Sequence, residues 1–196
     1  MTAPPISALA YSPDAATGAA PAVLAVRQLR LTDFRNYRQL RLDCGPEPIV
    51  LVGANGAGKT NLLEALSFLA PGRGLRRARL DEVARRSRAG EPDAASWAVA
   101  ATLDTPEGRL AIGTGLEPAK NESSLPRRAV RIDGRPAQSQ TALGLHVAAV
   151  WLTPQLDRLF LDGPGERRAV YERLRVRVPL RTARTRLARL LHVLQR

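Results

Sequence analysis

Residues 53–60 read Gly53-Ala54-Asn55-Gly56-Ala57-Gly58-Lys59-Thr60. The spacing matches Gly-x-x-x-x-Gly-Lys-Ser/Thr, the P-loop or Walker A pattern. An apolar run at residues 49–52 precedes the pattern, and a leucine-rich stretch at residues 61–69 follows it. The sequence therefore predicts a buried strand, a glycine-rich loop and a helix, which is the order of elements that the pattern requires.

The residue types in this loop suit a multiply charged phosphate group. Glycines allow the backbone to curve so that successive N–H groups point inward, and the start of the helix adds a positive dipole. We expect Lys59 to reach the β- and γ-phosphates of a nucleotide and the Thr60 hydroxyl to bind Mg²⁺. A glycine-rich turn before an ordinary helix is the alternative, but lysine is rare in this chain and occurs only at Lys59 and Lys120.

The chain carries a formal net charge of +12 over 196 residues. This charge indicates an anionic partner, with nucleic acid as the leading candidate, although the arginine bias of GC-rich coding sequence is an alternative explanation. One dense cluster lies in residues 72–90 and consists of Arg73, Arg76, Arg77, Arg79, Arg85, Arg86 and Arg88. Two interpretations of the cluster stay open: a solvated helix face, or a surface that contacts phosphate backbones.

Cysteine usage and hydropathy bear on the cellular compartment. Cys44 is the only cysteine, so no intrachain disulfide can form and the chain suits a reducing environment. No apolar run approaches the roughly 20 residues of a membrane span. Residues 1–22 are rich in alanine and proline, lack the basic start of a secretory signal, and indicate a flexible extension. We therefore expect a cytoplasmic protein without a membrane partner.

Alternating apolar residues predict several strands outside the P-loop region. The alternating runs occupy residues 26–34, 38–42, 97–103, 110–112 and 130–132. The last run ends in Asp133-Gly134, a hairpin turn signal. We expect antiparallel hairpins that form a small β subdomain beside the P-loop layer. A continuous apolar run at residues 147–152 predicts another buried strand.

Three segments of the sequence carry a resemblance to a known family. They are Leu29-Arg30-Leu31-Thr32-Asp33-Phe34-Arg35-Asn36-Tyr37, the P-loop with its continuation Asn61-Leu62-Leu63-Glu64-Ala65, and Trp151-Leu152-Thr153-Pro154-Gln155-Leu156-Asp157-Arg158-Leu159-Phe160 followed by Gly163-Pro164 and Glu166-Arg167-Arg168. Together they resemble the RecF family, in the SMC-like branch of ABC ATPases. The P-loop form is shared with other SMC-like proteins, whereas the Phe-Arg-Asn-Tyr turn and the Gly-Pro-x-x-Arg-Arg element narrow the resemblance to RecF.

The resemblance implies an α/β fold: a P-loop ABC-type ATPase lobe I with a mixed sheet and an antiparallel β subdomain. It implies ATP and Mg²⁺ as cofactors, with Arg35 and Asn36 near the adenine or the phosphates, and Thr60 and Gln155 at the metal. It also implies an ATP-dependent homodimer that binds single-stranded or gapped DNA. Such proteins load a recombinase with RecR and RecO as partners and act in DNA repair, replication and the SOS response.

Two expected ATPase motifs are not found in the sequence. No Ser-x-Gly-Gln element occurs, and no apolar run ends in the paired carboxylates of a Walker B motif. The ATP-binding lobe at residues 23–168 therefore looks truncated before the Walker B region. We expect weak ATP binding with little or no hydrolysis, because nothing identifiable positions the attacking water. No catalytic residue can be named, and the question of enzyme activity stays open.

The arginine-rich tail at residues 169–196 also departs from the family pattern. A DNA-binding helix would place Leu180, Leu187 and Leu194 on one face, but out-of-frame translation of GC-rich coding sequence gives much the same composition and is favoured here. Three functional alternatives remain: the nucleotide-binding subunit of a transporter, a chromosome-structure ATPase, and an inactive fragment. The basic charge fits a transporter subunit less well, and the sustained heptads typical of a chromosome-structure ATPase are missing.

Overall fold

The computed structural model describes residues 7–10, 24–86, 92–118, 126–149 and 151. The strands in these ranges are β1 (Ser7–Ala10), β2 (Ala25–Phe34), β3 (Tyr37–Asp43), β4 (Ile49–Val52), β5 (Ala98–Thr105), β6 (Gly108–Glu117), β7 (Arg127–Ile132) and β8 (Arg135–Pro136). Helix α1 covers Lys59–Ser67, and 3₁₀ turns cover Asp81–Val83 and Gln140–Leu145.

Six of these strands form one sheet in the order β3-β2-β5-β6-β7-β8, and β4 pairs with β1 in a separate two-stranded sheet. Every pairing among the described residues is antiparallel. The predicted α/β class, with a P-loop element beside an antiparallel β subdomain, is confirmed. The prediction also included a mixed sheet. In the described ranges, the strand pairs that are seen are antiparallel.

The alternation of apolar residues places one face of the six-stranded sheet in the core. Leu29 and Leu31 of β2, Val99 of β5 and Ile112 of β6 are all buried on that face. Three aromatic rings join the sheet to the end of α1, with centroids 6.0 Å apart for Phe34–Phe68, 5.6 Å for Phe34–Trp97 and 5.0 Å for Phe68–Trp97. This cluster fixes the P-loop helix against the subdomain.

The predicted hairpin turn at Asp133-Gly134 is present. Both residues have positive φ, 46° and 76°, as a tight turn between antiparallel strands requires. The Asp133 carboxylate also accepts a hydrogen bond from the N–H of Ala111, at 2.8 Å. The turn therefore connects β7 to β8 and contacts β6 at the same time.

The strand predicted at residues 147–152 is not found in its described part. Residues 147–149 and 151 have no strand pairing. The N–H of Val147 instead donates to the carbonyl of Leu143 at 2.8 Å, so this backbone group closes a turn at the end of the 3₁₀ segment. The side chain of Val147 is still buried, which explains why an apolar residue occurs there without a strand.

The structure describes few residues near the two predicted domain boundaries. Ser7–Ala10 belong to the segment predicted as a flexible extension, yet they pair with β4 in the register Ser7↔Val52 to Ala10↔Ile49. The rest of residues 1–22, apart from this strand, lies outside the described ranges, as do residues 152–196. The boundaries at residues 22 and 168 and the origin of the tail therefore stay predictions.

Candidate nucleotide-binding site

The loop between β4 and α1 contains two glycines whose backbone favours that residue type. The φ angles of Gly56 and Gly58 are 83° and 109°. A Cβ added to Gly58 would lie 2.5 Å from Tyr37 Oη and 2.6 Å from Asn36 Nδ2, whereas a Cβ at Gly56 would meet nothing within 4 Å. Gly58 is therefore required by close packing, and Gly56 faces open space.

Lys59 and Thr60 are the first two residues of α1. The Lys59 ammonium donates to the carbonyls of Gly53 at 2.5 Å and Ala54 at 3.0 Å. It thus lies over the loop and is held by backbone carbonyls, which a phosphate can replace. The Thr60 hydroxyl makes no hydrogen bond within the described part of the chain. Both side chains fit the groups predicted for them, a nucleotide phosphate and Mg²⁺.

Asn36, in the turn between β2 and β3, and Tyr37, the first residue of β3, pack against the P-loop. Asn36 Nδ2 donates to the carbonyl of Ala57 at 3.4 Å, and Asn36 Oδ1 accepts from Asn61 Nδ2 at 2.8 Å. The Tyr37 hydroxyl is buried and has no hydrogen-bond partner. Burial raises the pKa of Tyr37 to about 12. The structure therefore brings Asn36 to the loop, as the resemblance implies.

Arg35 is directed away from the loop and toward helix α1. Its Nε and Nη2 donate to the two carboxylate oxygens of Glu64, at 2.9 and 2.6 Å, and its Nη1 donates to the carbonyl of Glu82 at 2.7 Å. Glu64 is only 1% exposed. This bidentate pair gives Arg35 a protein partner. Its predicted contact with the nucleotide stays a prediction.

A second arginine completes the environment of Glu64. Arg76 Nη1 donates to Glu64 Oε2 at 2.6 Å and to Asn61 Oδ1 at 2.7 Å. Asn61 in turn donates to Asn36, so one chain of hydrogen bonds connects the P-loop, α1 and the arginine-rich segment. The sequence reasoning missed Glu64 and Asn61. An acid on a leucine-rich helix face was the available signal for Glu64.

The described part of the arginine-rich segment, residues 72–86, is not a helix. It contains a single 3₁₀ turn at Asp81–Val83 and is fixed to the end of β2. The N–H of Arg85 donates to the carbonyl of Asp33 and Arg85 Nε to its carboxylate, both at 2.8 Å. The interpretation as a helix face is therefore wrong for these residues. Five described arginines of the segment are exposed, namely Arg73, Arg76, Arg77, Arg79 and Arg86.

Arg128 of β7 binds the opposite end of helix α1. Its guanidinium donates to the carbonyls of Phe68, Gly72 and Ala70, the last two at 2.5 and 3.3 Å. It also donates to Thr114 Oγ1 at 2.8 Å. Burial lowers the pKa of Arg128 to about 10, so it stays charged at neutral pH. A cation at a helix C-terminus complements the helix dipole.

The remaining predicted positions contribute less. Gln155, the second predicted metal ligand, lies outside the described ranges. Burial and then the Asp43 charge raise the pKa of the Cys44 thiol, which makes it a poor nucleophile.

Within the described residues, no group of three acidic, His or Cys side chains could hold a metal ion. Nor does any helix in those ranges have the length and apolarity to cross a membrane.

Comparison with known proteins assigns the class of this chain. Residues 25–143 match the family model described as the RecF/RecN/SMC N-terminal domain. This match covers more than half of the sequence, so the chain belongs to that family. Within the family, the chain is similar to the N-terminal portion of RecF proteins, which confirms the resemblance inferred from the sequence.

Two curated relatives show the extent of the similarity. The chain is 47% identical over 151 residues to the DNA replication and repair protein RecF of Caulobacter vibrioides, and 45% identical over 154 residues to that of Mesorhizobium japonicum. These matches cover 76% and 79% of this chain. The chain spans 38% of the length of each relative.

Solved structures confirm the fold. The recombination mediator protein RecF solved with ATP superposes with a TM-score of 0.60 at 20% identity, over 77% of this chain and 38% of that one. An SMC ATPase described for ATP-driven dimerisation and DNA-stimulated activation gives a TM-score of 0.61 at 20% identity, over 76% of this chain and 99% of that one. Both likenesses support the predicted fold class.

Proposed function

We propose that this chain forms the ATP-binding, N-terminal portion of a RecF-type protein of DNA repair and replication. The observation that carries the proposal is the P-loop geometry, with open space at Gly56 and Lys59 poised over the loop. Sequence similarity to RecF relatives supports the same assignment over most of the chain.

ATP would be held by groups that the loop already presents. The loop N–H groups and Lys59 would bind the β- and γ-phosphates, and Thr60 would provide a hydroxyl to Mg²⁺, which neutralises phosphate charge when it is bound. Asn36 lies close enough to the loop to orient a bound nucleotide. Roles for Arg35 at the nucleotide and Gln155 at the metal belong to the proposal without support from the described contacts.

The proposal includes binding without efficient hydrolysis by these 196 residues. We expect affinity for ATP–Mg²⁺ in the micromolar range or weaker, and turnover at background. Robust hydrolysis that disappears in Lys59→Ala would contradict this part of the proposal, because it would show that the chain holds a complete catalytic set.

Nucleotide binding is tested by titration calorimetry with ATP–Mg²⁺. We expect Lys59→Ala to lose at least about tenfold in affinity, because charge-assisted hydrogen bonds to phosphate contribute about 1.5–3 kcal/mol. Arg79→Ala is a matched control, since Arg79 is an exposed cation whose partner is Asp81, at 3.3 Å. Equal affinity in Lys59→Ala and the unmodified chain would refute the proposed site.

DNA binding and partner proteins complete the proposed role. The exposed residues Arg73, Arg77 and Arg86 support salt-sensitive contact with the phosphate backbone of single-stranded or gapped DNA. Dimerisation on ATP, recombinase loading with RecR and RecO, the SOS response and a cytoplasmic location are proposed from the RecF similarity. Binding to DNA that does not weaken as salt is raised would count against the basic surface.

A further inference from the structure

The face of the six-stranded sheet that points away from the core has an unusual side-chain pattern. One row of directly paired residues crosses five strands: Arg41, Arg30, Ala100, Gly113 and Arg131. Neighbouring strands lie about 4.8 Å apart, so the β2 and β7 arginines stand about 14 Å apart, with only small residues between them.

We call the channel between these arginines the outer trough. Its floor consists of Ala98, Ala100, Gly113 and Gly115 on β5 and β6, and both alanines are exposed. A Cβ on Gly115 would lie 2.5 Å from the carbonyl oxygen of Trp97, so the backbone itself excludes a larger residue there. At these four positions the floor therefore carries no side chain larger than a methyl group.

The walls of the outer trough carry the positive charge of Arg30 and Arg131. Arg30 and Arg131 are exposed, and neither has a hydrogen bond or ion pair to any described residue. Arg30 lies directly opposite Arg41, an arrangement of like charges that destabilises a strand pair. The nearby carboxylate of Asp43 is already bound by Arg41 at 3.0 Å and Gln28 at 2.6 Å.

We propose that the outer trough binds a single nucleic-acid strand, as a surface separate from the arginine-rich segment at residues 72–86. A nucleic-acid strand laid along the floor would bring its phosphates between Arg30 and Arg131. The guanidinium planes can also contact unpaired bases. The floor has no aromatic ring for stacking, so binding is independent of sequence and steeply dependent on salt. The inference rests on the proposed nucleic-acid binding and is independent of ATP.

Fluorescence anisotropy with a labelled oligo-dT of about 20 nucleotides tests this inference. We expect Arg30→Gln/Arg131→Gln to lose about tenfold in affinity at low salt. For the double variant, the slope of log K against log salt concentration should fall in magnitude by about 1.4, because each phosphate contact to a single strand contributes about 0.7. Ala100→Leu raises the floor without changing charge, so it should weaken binding and leave the slope unchanged.

Arg109→Gln is the matched control, because Arg109 is an exposed arginine four residues along the sheet from the row and pairs with Asp104 at 3.6 Å. We expect it to bind within twofold of the unmodified chain. An equal loss in Arg109→Gln and the double variant would overturn the outer trough, as would the absence of oligonucleotide binding. A loss seen only with duplex DNA would overturn the single-strand assignment. None of these outcomes alters ATP affinity, so failure of the nucleotide site is measured separately.

Discussion

At the scale of single residues, Gly58 is the position at which the P-loop has the least space. Its φ of 109° and its contact with Tyr37 and Asn36 both oppose a side chain. We predict that Gly58→Ala lowers the free energy of unfolding by about 1–2 kcal/mol for the backbone and about 1–3 kcal/mol more for the clash. Urea denaturation measures both effects together.

Gly56→Ala is the control for Gly58→Ala. Gly56 also has positive φ, but a Cβ there meets no atom. We expect only the backbone cost of about 1–2 kcal/mol. Equal losses in the two variants would show that the packing of Tyr37 and Asn36 against Gly58 does not contribute to stability.

Glu64 is a buried carboxylate between two guanidinium groups. Removal of its charge leaves Arg35, whose side chain is 19% exposed, without its counter-ion. We predict that Glu64→Gln lowers the free energy of unfolding by about 3–5 kcal/mol. Asp81→Asn, which breaks the exposed Arg79–Asp81 pair, should cost less than about 1 kcal/mol. Similar losses in both variants would refute a buried ion pair.

Tyr37 offers a test by pH. Burial raises its pKa from 10.0 to about 12, so its phenol holds its proton more tightly in the folded chain than in the unfolded chain. The stabilising effect is present below pH 10 and is lost as the pH rises from 10 towards 12. We predict that Tyr37→Phe removes this decline in stability, measured by urea denaturation at several pH values.

The Tyr37→Phe substitution also tests whether the buried Tyr37 hydroxyl contributes to stability. Because this oxygen is buried without a hydrogen bond, Tyr37→Phe should leave stability at pH 7 unchanged or slightly higher. A loss of more than about 1 kcal/mol at neutral pH would show that the hydroxyl has a partner in solution.

Sequence patterns predicted the residues of the P-loop because its chemistry is local. Lys59 and Thr60 follow the glycines at a fixed spacing, so no tertiary contact is needed to recognise them. The Arg35–Glu64 pair joins residues 29 positions apart, and only the folded chain shows it. The sequence therefore located Arg35 near the site but did not reveal that its guanidinium stabilises helix α1.

At the scale of elements, an arginine of the β subdomain caps the C-terminal end of helix α1. Arg128 donates to carbonyls of Phe68 and Gly72, which no other described group caps with charge. We predict that Arg128→Met lowers the free energy of unfolding by about 2–4 kcal/mol, because two or more buried carbonyls lose their donor. Thermal or urea denaturation measures this loss.

The neighbouring arginine supplies the control. Arg127 points to the opposite face of β7, is 73% exposed on its side chain and pairs with Glu117 at 3.1 Å. Arg127→Met should change stability by less than about 1 kcal/mol. If Arg127→Met proved as damaging as Arg128→Met, the carbonyl contacts would not be the cause.

Strands with clear alternation were predictable, and the exceptions have physical reasons. The alternating runs in β2, β3 and β5 bury one face of a sheet, which their sequences record directly. Residues 147–149 are apolar because Val147 fills the core at the end of a 3₁₀ turn, so apolarity alone misled the prediction. Ser7–Ala10 contain one large apolar residue, Leu9, so they show no alternation that would have indicated β1.

At the scale of the whole molecule, nucleotide binding and folding should be linked. Asn36, Asn61, Arg76 and Glu64 connect the P-loop to both the β2–β3 turn and the arginine-rich segment. We predict that ATP–Mg²⁺ at 100 times its Kd raises the free energy of unfolding by about 2.7 kcal/mol. The rise should be seen by urea denaturation in one cooperative transition.

The Lys59→Ala variant is the control for this link between ATP binding and stability. At the same ATP concentration, the variant should show little increase in stability, since the ligand then binds weakly to the folded state. An equal increase in both proteins would mean that ATP stabilises the chain from somewhere other than the P-loop.

The pairing of β1 with β4 has a practical consequence for handling the molecule. Ser7 lies opposite Val52, the residue directly before the P-loop. A group attached a few residues ahead of Ser7 is tethered beside the nucleotide loop, because each extended residue spans at most about 3.6 Å. An affinity tag is therefore best removed before nucleotide titrations, whereas a fluorophore attached there becomes a reporter of ATP binding.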